Sequence, residues 1–95
     1  MWNVKFSKNA VKQAKNLNSR VLAVLQVLVE SLKAHGGCPG KNWPNYGKLK
    51  GSGAIDKRHC HLIKGNPTYV CCWKVDKLSQ IIEVYYVGTH EKAPY

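Results

Sequence analysis

The stretch Arg58-His59-Cys60-His61-Leu62-Ile63 sets two imidazoles on alternate positions, and imidazole is the side chain that titrates nearest neutrality. Two chemistries suit such a pair. The first is zinc binding, with His59, His61 and one of Cys38, Cys60 or His90 as ligands. Only the HxH spacing supports it, because the four cysteines include no CxxC pair, so no metal ligand and no cofactor is assigned. The second is metal-free RNA cleavage. There a 2′-hydroxyl attacks the neighbouring phosphate, one group takes a proton, another returns one, and cations hold the charge that builds on phosphorus.

Side chains alternate along a strand, so His59 and His61 share one face while Arg58, Cys60 and Leu62 share the other. This puts Cys60 on the wrong side for a shared metal. A further imidazole, His90, lies in the C-terminal GTHEKAPY. If the last strand runs near the first strand of the meander, the tail brings His90, Glu91 and Tyr95 toward His61. Basic residues beside Trp43, Tyr46 and Tyr95 suit single-stranded RNA, whose exposed bases stack on aromatic rings. The structural alternatives stay open: His59 as a hydrogen-bonded residue of a sheet face, Trp43 as a lid on the core, Tyr46 as support for its loop, and Lys48 and Lys50 as solvated surface. His35 suits the end of a helix, where the dipole favours it, and Trp73 suits the core.

The formal charge of +10 comes from 15 Lys+Arg against 5 Asp+Glu, and it is concentrated. Residues 1–20 carry Lys5, Lys8, Lys12, Lys15 and Arg20 with no acid, and residues 41–64 carry six cations against Asp56 alone. Such an excess points to a polyanionic partner, nucleic acid or an acidic protein. No secretory signal is evident at the N-terminus, which with unpaired cysteines suggests a reducing, cytoplasmic setting. The longest apolar run, residues 21–29, is interrupted by Gln26 and far short of the roughly 20 residues that span a bilayer. No membrane segment is expected.

The elements that must position these groups are legible in outline for a chain of 95 residues, the size of one domain. Trp2, Val4 and Phe6 alternate as in a short strand. Ser7 is placed to cap a helix carrying Ala10, Ala14 and Leu17, and Asn18 or Ser19 to cap a second. In that second helix Val21, Leu22, Leu25, Leu28, Val29 and Leu32 make a core stripe that stops at Gly36-Gly37, with Val24 and Val27 as an additional apolar flank for a partner. Residues 36–54, rich in Gly, Pro, Asn and Lys, form a loop or a poorly regular strand. Three strands follow, over about 57–63, 68–75 and 80–87, joined by KGNP and DKLS turns. The middle one sends Tyr69, Cys71, Trp73 and Val75 to one face and Val70, Cys72 and Lys74 to the other.

This order, together with NYGKLKGSG, HCHLIKGNPTYVCCWKV and IEVYYVGTHEKAPY, resembles the RelE/ParE superfamily of toxin–antitoxin toxins, and within it the RelE-type, YafQ-like members. The resemblance covers essentially the whole chain, residues 1–95, as one toxin domain. It implies an α+β fold, with two N-terminal helices as a hairpin on a twisted antiparallel sheet of about four strands in the order β-α-α-β-β-β. It also implies a ribosome-dependent mRNA endonuclease, held in check by a cognate antitoxin that binds both the toxin and operator DNA. Carried over by motif, the histidine of CHL is His61 and that of GTH is His90, a base and acid pair, and the aromatic end is Tyr95, which stacks or orients. Lys48, Lys50, Lys57 and Arg58 are the expected phosphate ligands, with Tyr46 and His59 beside the RNA. The sequence departs from the pattern where YafQ-like toxins often have histidine, at Tyr46, and where others have an acid, at Gly65 or Asn66. The superfamily uses one scaffold for different ends, and a gyrase inhibitor of ParE type or a catalytically silent antitoxin-binding member are the alternatives.

Overall fold

A computed structural model describes residues 1–40, 42–50 and 53–95. β1 (Asn3–Phe6) runs straight into α1 (Lys8–Lys15), because the Ser7 hydroxyl accepts the Ala10 N–H at 3.1 Å and satisfies a donor the first turn leaves open. Asn18 does the same for α2 (Ser19–His35) through the Val21 N–H at 3.0 Å. Gly36 ends α2 at φ 81°, where its missing side chain also matters, since a Cβ would stand 2.8 Å from the Trp2 ring. After the loop come β2 (Gly47–Lys48), β3 (Asp56–Ile63), β4 (Tyr69–Asp76) and β5 (Ile81–Thr89), and a 3₁₀ turn over His90–Lys92.

The strands form one sheet in the order β1-β5-β4-β3-β2. The expected α+β arrangement of two helices on a sheet holds, with two refinements. The meander leaves two open edges, and the chain fills both: β2 adds two residues beside β3, and β1 pairs with β5 in parallel, Asn3 opposite Ile81 through Phe6 opposite Val84. The sheet is therefore mixed and five-stranded instead of antiparallel and four-stranded.

The helices cover one face only. Ala10, Val21, Leu25, Leu28 and Leu32 pack there on Cys60, Leu62, Cys71, Trp73, Ile82, Val84 and Val87. Trp73 is completely buried and donates its indole N–H to the Gly37 carbonyl at 3.2 Å, which removes the cost of burying that polar group. On the opposite face Val70, Cys72 and Tyr86 make a smaller cluster under Tyr85 and Ala93. A register shift separates these faces in β5. Trp73 pairs with Val84 but Cys72 with Tyr86, so Tyr85 is an extra residue that turns Tyr86 to the open face and Val87 into the core. Among the described residues no helix is long and apolar enough to cross a membrane.

Candidate active site

β3 alternates as its sequence demands: Arg58, Cys60 and Leu62 are buried toward the helices, whereas Lys57, His59 and His61 look to the open face. His90 reaches the same place by a route the sequence did not show. β5 is not beside β3, since β4 lies between them. The 3₁₀ turn instead folds back over the start of β4, tied there by the His90 N–H to the Thr68 carbonyl at 2.8 Å. The His61 and His90 rings then meet edge to face, 5.4 Å between centroids. Tyr95 closes the group, 4.8 Å from the His59 ring and 5.9 Å from His90, and His59 stands 6.4 Å from His61. Beside them is an open cleft of about 280 Å³ lined by His61, the Gly65–Asn66–Pro67–Thr68 turn, His90 and Glu91.

The electrostatics separate the imidazoles. Burial lowers the pKa of His61, and the positive charges of His90, His59 and Lys64 lower it further. Its Nδ1 is buried with no hydrogen-bond partner among the described residues, so no acceptor there rewards the charged form. His59 is lowered as well, by burial first and by His90, partly offset by a contact to the Gly47 carbonyl. That contact, Nδ1 to oxygen at 3.2 Å, fixes the tautomer: a carbonyl only accepts, so Nδ1 carries the proton and the Nε2 lone pair of neutral His59 is free. Tyr95 is pushed up by burial and keeps its phenol proton at neutral pH.

Two residues expected at the RNA surface are on the other side of the sheet. Arg58 is only 6 % exposed and grips Asp56 with two nitrogens, Nε at 3.0 Å and Nη2 at 2.7 Å, while its Nη1 donates to the Tyr46 hydroxyl at 3.1 Å. Three of its five donors go to Asp56 and Tyr46, and the Asp56 carboxyl is held below its ordinary range chiefly by the bond to Arg58. Tyr46 is partly exposed and stacks one face on Trp73, 6.1 Å between centroids. The burial of Arg58 corrects its expected place at the RNA, and Tyr46 lies beside it on the helix-covered side. A one-residue shift in position along a strand exchanges the two faces, and these groups fall on the covered one. Lys48 is exposed at the edge, in register with Arg58 and close enough to help hold Asp56 down, and Lys50 is exposed beyond β2.

Lys57 does share the histidine face. With it is a group the sequence reading did not assign: the Lys57 and Lys74 ammonium groups each lie 5.5 Å from the centre of the Tyr85 ring. Lys74 was legible there by alternation, but the extra residue that brings Tyr85 between the lysines was not. Of the three buried cysteines, Cys60 and Cys71 face the helices and Cys72 underlies Tyr85 on the open face. Burial pushes Cys60 and Cys72 up to about 12 and Cys71 well above the ordinary thiol range, so they act as small apolar side chains. Among the described residues no three His, Cys, Asp or Glu side chains converge to hold a metal ion.

No family model and no curated protein matches the sequence. Solved structures do match. The chain superposes on RelE in the archaeal RelE–RelB complex from Pyrococcus horikoshii OT3 with a TM-score of 0.77 at 20% identity, over 97% of this chain and 98% of that one. YoeB of Staphylococcus aureus, whose structure is of the dimer, gives 0.72 at 16% identity over 94% and 97%. The isolated RelE toxin of E. coli gives 0.68 at 20% identity over 99% and 89%. The fold is that of the RelE and YoeB toxins.

Proposed function

We propose that the chain is the toxin of a type II toxin–antitoxin pair and an endoribonuclease that cuts mRNA on the ribosome without a metal. The clustering of His59, His61, His90 and Tyr95, with His61 and His90 lining a cleft on the uncovered face of a RelE-like sheet, carries this reading. Residues 1–95 act as one such domain, in the cytoplasm.

In this reading the depressed pKa makes His61 the base. It is neutral near pH 7 and takes the proton of the attacking 2′-hydroxyl. That hydroxyl then bonds to phosphorus, and the bond to the 5′-oxygen of the next nucleotide breaks. His90, exposed and lining the same cleft, supplies the proton that the leaving oxygen needs. The two rings touch edge to face, so the phosphate sits over the pair at the cleft mouth and not between them. Lys57 and Lys74 neutralise the flanking phosphates, and Tyr95 offers an aromatic face to a base. The high positive charge suits rRNA contacts as well as mRNA. It equally suits an acidic cognate antitoxin laid on the helices and sheet, through which operator DNA is reached indirectly.

Primer extension across cellular mRNAs after induction tests the reading. Breaks within coding regions are expected for the wild type and are lost in His61→Ala and His90→Ala. Intact mRNA with arrested growth and lost supercoiling would instead make the chain a gyrase poison.

A further inference from the structure

The His90 turn is held by a side chain that does not itself face the cleft. β1 pairs with β5 only as far as Val84, whose carbonyl takes the Ser7 N–H at 2.9 Å. Beyond that point no strand among the described residues lies along the outer edge of β5, and its polar groups need other partners. The Gln13 side chain from α1 accepts the Val87 N–H at 3.0 Å. The Thr89 carbonyl, immediately before His90, accepts the Tyr86 phenol at 2.6 Å.

That phenol bond depends on three local features. The extra residue at Tyr85 turns Tyr86 onto the open face, where its ring packs with Val70, Cys72 and Ala93 at 8 % exposure. Gly88, two residues on and on the same face, lets the phenol pass: a Cβ there would lie 2.8 Å from the Tyr86 oxygen and 3.2 Å from Cζ. The requirement at Gly88 is one of space alone, since Gly88 is not among the positive-φ glycines. Burial raises the Tyr86 pKa, so the phenol remains a donor across the neutral range. From the other side the His90 N–H is fixed to Thr68, and Ala93 anchors the end of the turn in the same cluster as Tyr86.

We propose that Tyr86 is a positioning residue: by donating its phenol to the Thr89 carbonyl across Gly88, it fixes the turn that holds the His90 ring against His61. This rests on the ribonuclease reading for its kinetic consequence, but the geometry can be measured without it. A phenylalanine at this position keeps the ring packing and releases the carbonyl, while an alanine at Gly88 keeps the phenol and displaces it. Acids and bases misplaced by an ångström or less lose rate rather than binding.

The test uses the full chain. Steady-state RNA cleavage is measured for wild type, Tyr86→Phe, Gly88→Ala and the double variant, alongside the nuclear Overhauser contact between the His61 and His90 ring protons. Tyr86→Phe is expected to lower kcat roughly tenfold with KM unchanged, to weaken the His61–His90 contact, and to leave the contact between His59 and His61, both on β3, in place. Gly88→Ala should do the same, and the double variant should be no worse than the single ones, because both remove one interaction. Unchanged kcat and an unchanged ring contact in Tyr86→Phe would overturn the tether while leaving the ribonuclease reading intact. A wild type that cuts no RNA would sink that reading, and the ring contact would still decide the tether: weakened in Tyr86→Phe it stands, unchanged it falls.

Discussion

Neighbouring residues of one strand, Arg58 and His59, live in opposite chemical worlds. Arg58 is buried under the helices and paired with Asp56 and Tyr46, and its charge serves the fold. His59 stands on the uncovered face with one nitrogen held by Gly47 and the other free, among other titrating rings. Both are basic residues in a basic stretch, so charge alone does not tell them apart. Which face of the sheet the helices cover decides which one is structure and which is available for chemistry.

The sharpest way to break this comparison is to remove one group from each face. His61→Ala and His90→Ala should each cut the cleavage rate by about 10² to 10⁴, with thermal midpoints close to the wild type, as measured by single-turnover cleavage and calorimetry. If these variants were equally active, the open face would lose its catalytic role. Arg58→Ala should do the reverse. Removing the guanidinium strands a partly buried carboxylate, at a cost of about 2 to 3 kcal/mol once the partial exposure of Asp56 is allowed for. Denaturant titration should show that loss, with near-normal cleavage well below the midpoint. Cleavage as weak as that of His61→Ala in folded Arg58→Ala would return Arg58 to the RNA surface.

Smaller effects sharpen the boundary of the open face. Lys57→Ala and Lys74→Ala should each weaken single-stranded RNA binding without regard to sequence, and each should reduce the salt dependence of log K by about 0.7. Equal salt slopes for wild type and double variant would move the RNA path off Tyr85. The pH dependence of stability is the smallest effect. His59 and His61 have folded pKa values below the ordinary 6.5, so the unfolded chain binds more protons between those values and 6.5. Stability is therefore fully present above pH 6.5 and falls as the pH drops through the folded values. Melting from pH 7.5 to 5.5 should show this decline, shallower in the His59→Ala, His61→Ala double variant. A parallel decline in that variant would assign the effect to other groups.

Local patterns were enough for the elements and for half of the site. Ser7 and Asn18 cap the helices, Gly36 stops the second, and Cys71 and Cys72 part to opposite faces, all from rules that act within a few residues. The same alternation put His59 with His61 and kept Cys60 away from them. Arg58 was expected at the RNA because alternation separates two faces without saying which one the helices will bury.

What the sequence by itself determined, then, is the set of elements and the partition of each regular strand into two faces, since both follow from backbone periods of 3.6 and 2. Only the tertiary structure decided the rest. It set β1 parallel to β5, inserted Tyr85 as an extra residue so that Tyr86 and Gly88 turn to the open side, and folded the last turn over β4 to bring His90 and Tyr95 to His61 and His59. Each of these depends on which distant backbone groups find partners at a sheet edge, and that choice is made by the packed whole and not by any local run of residues.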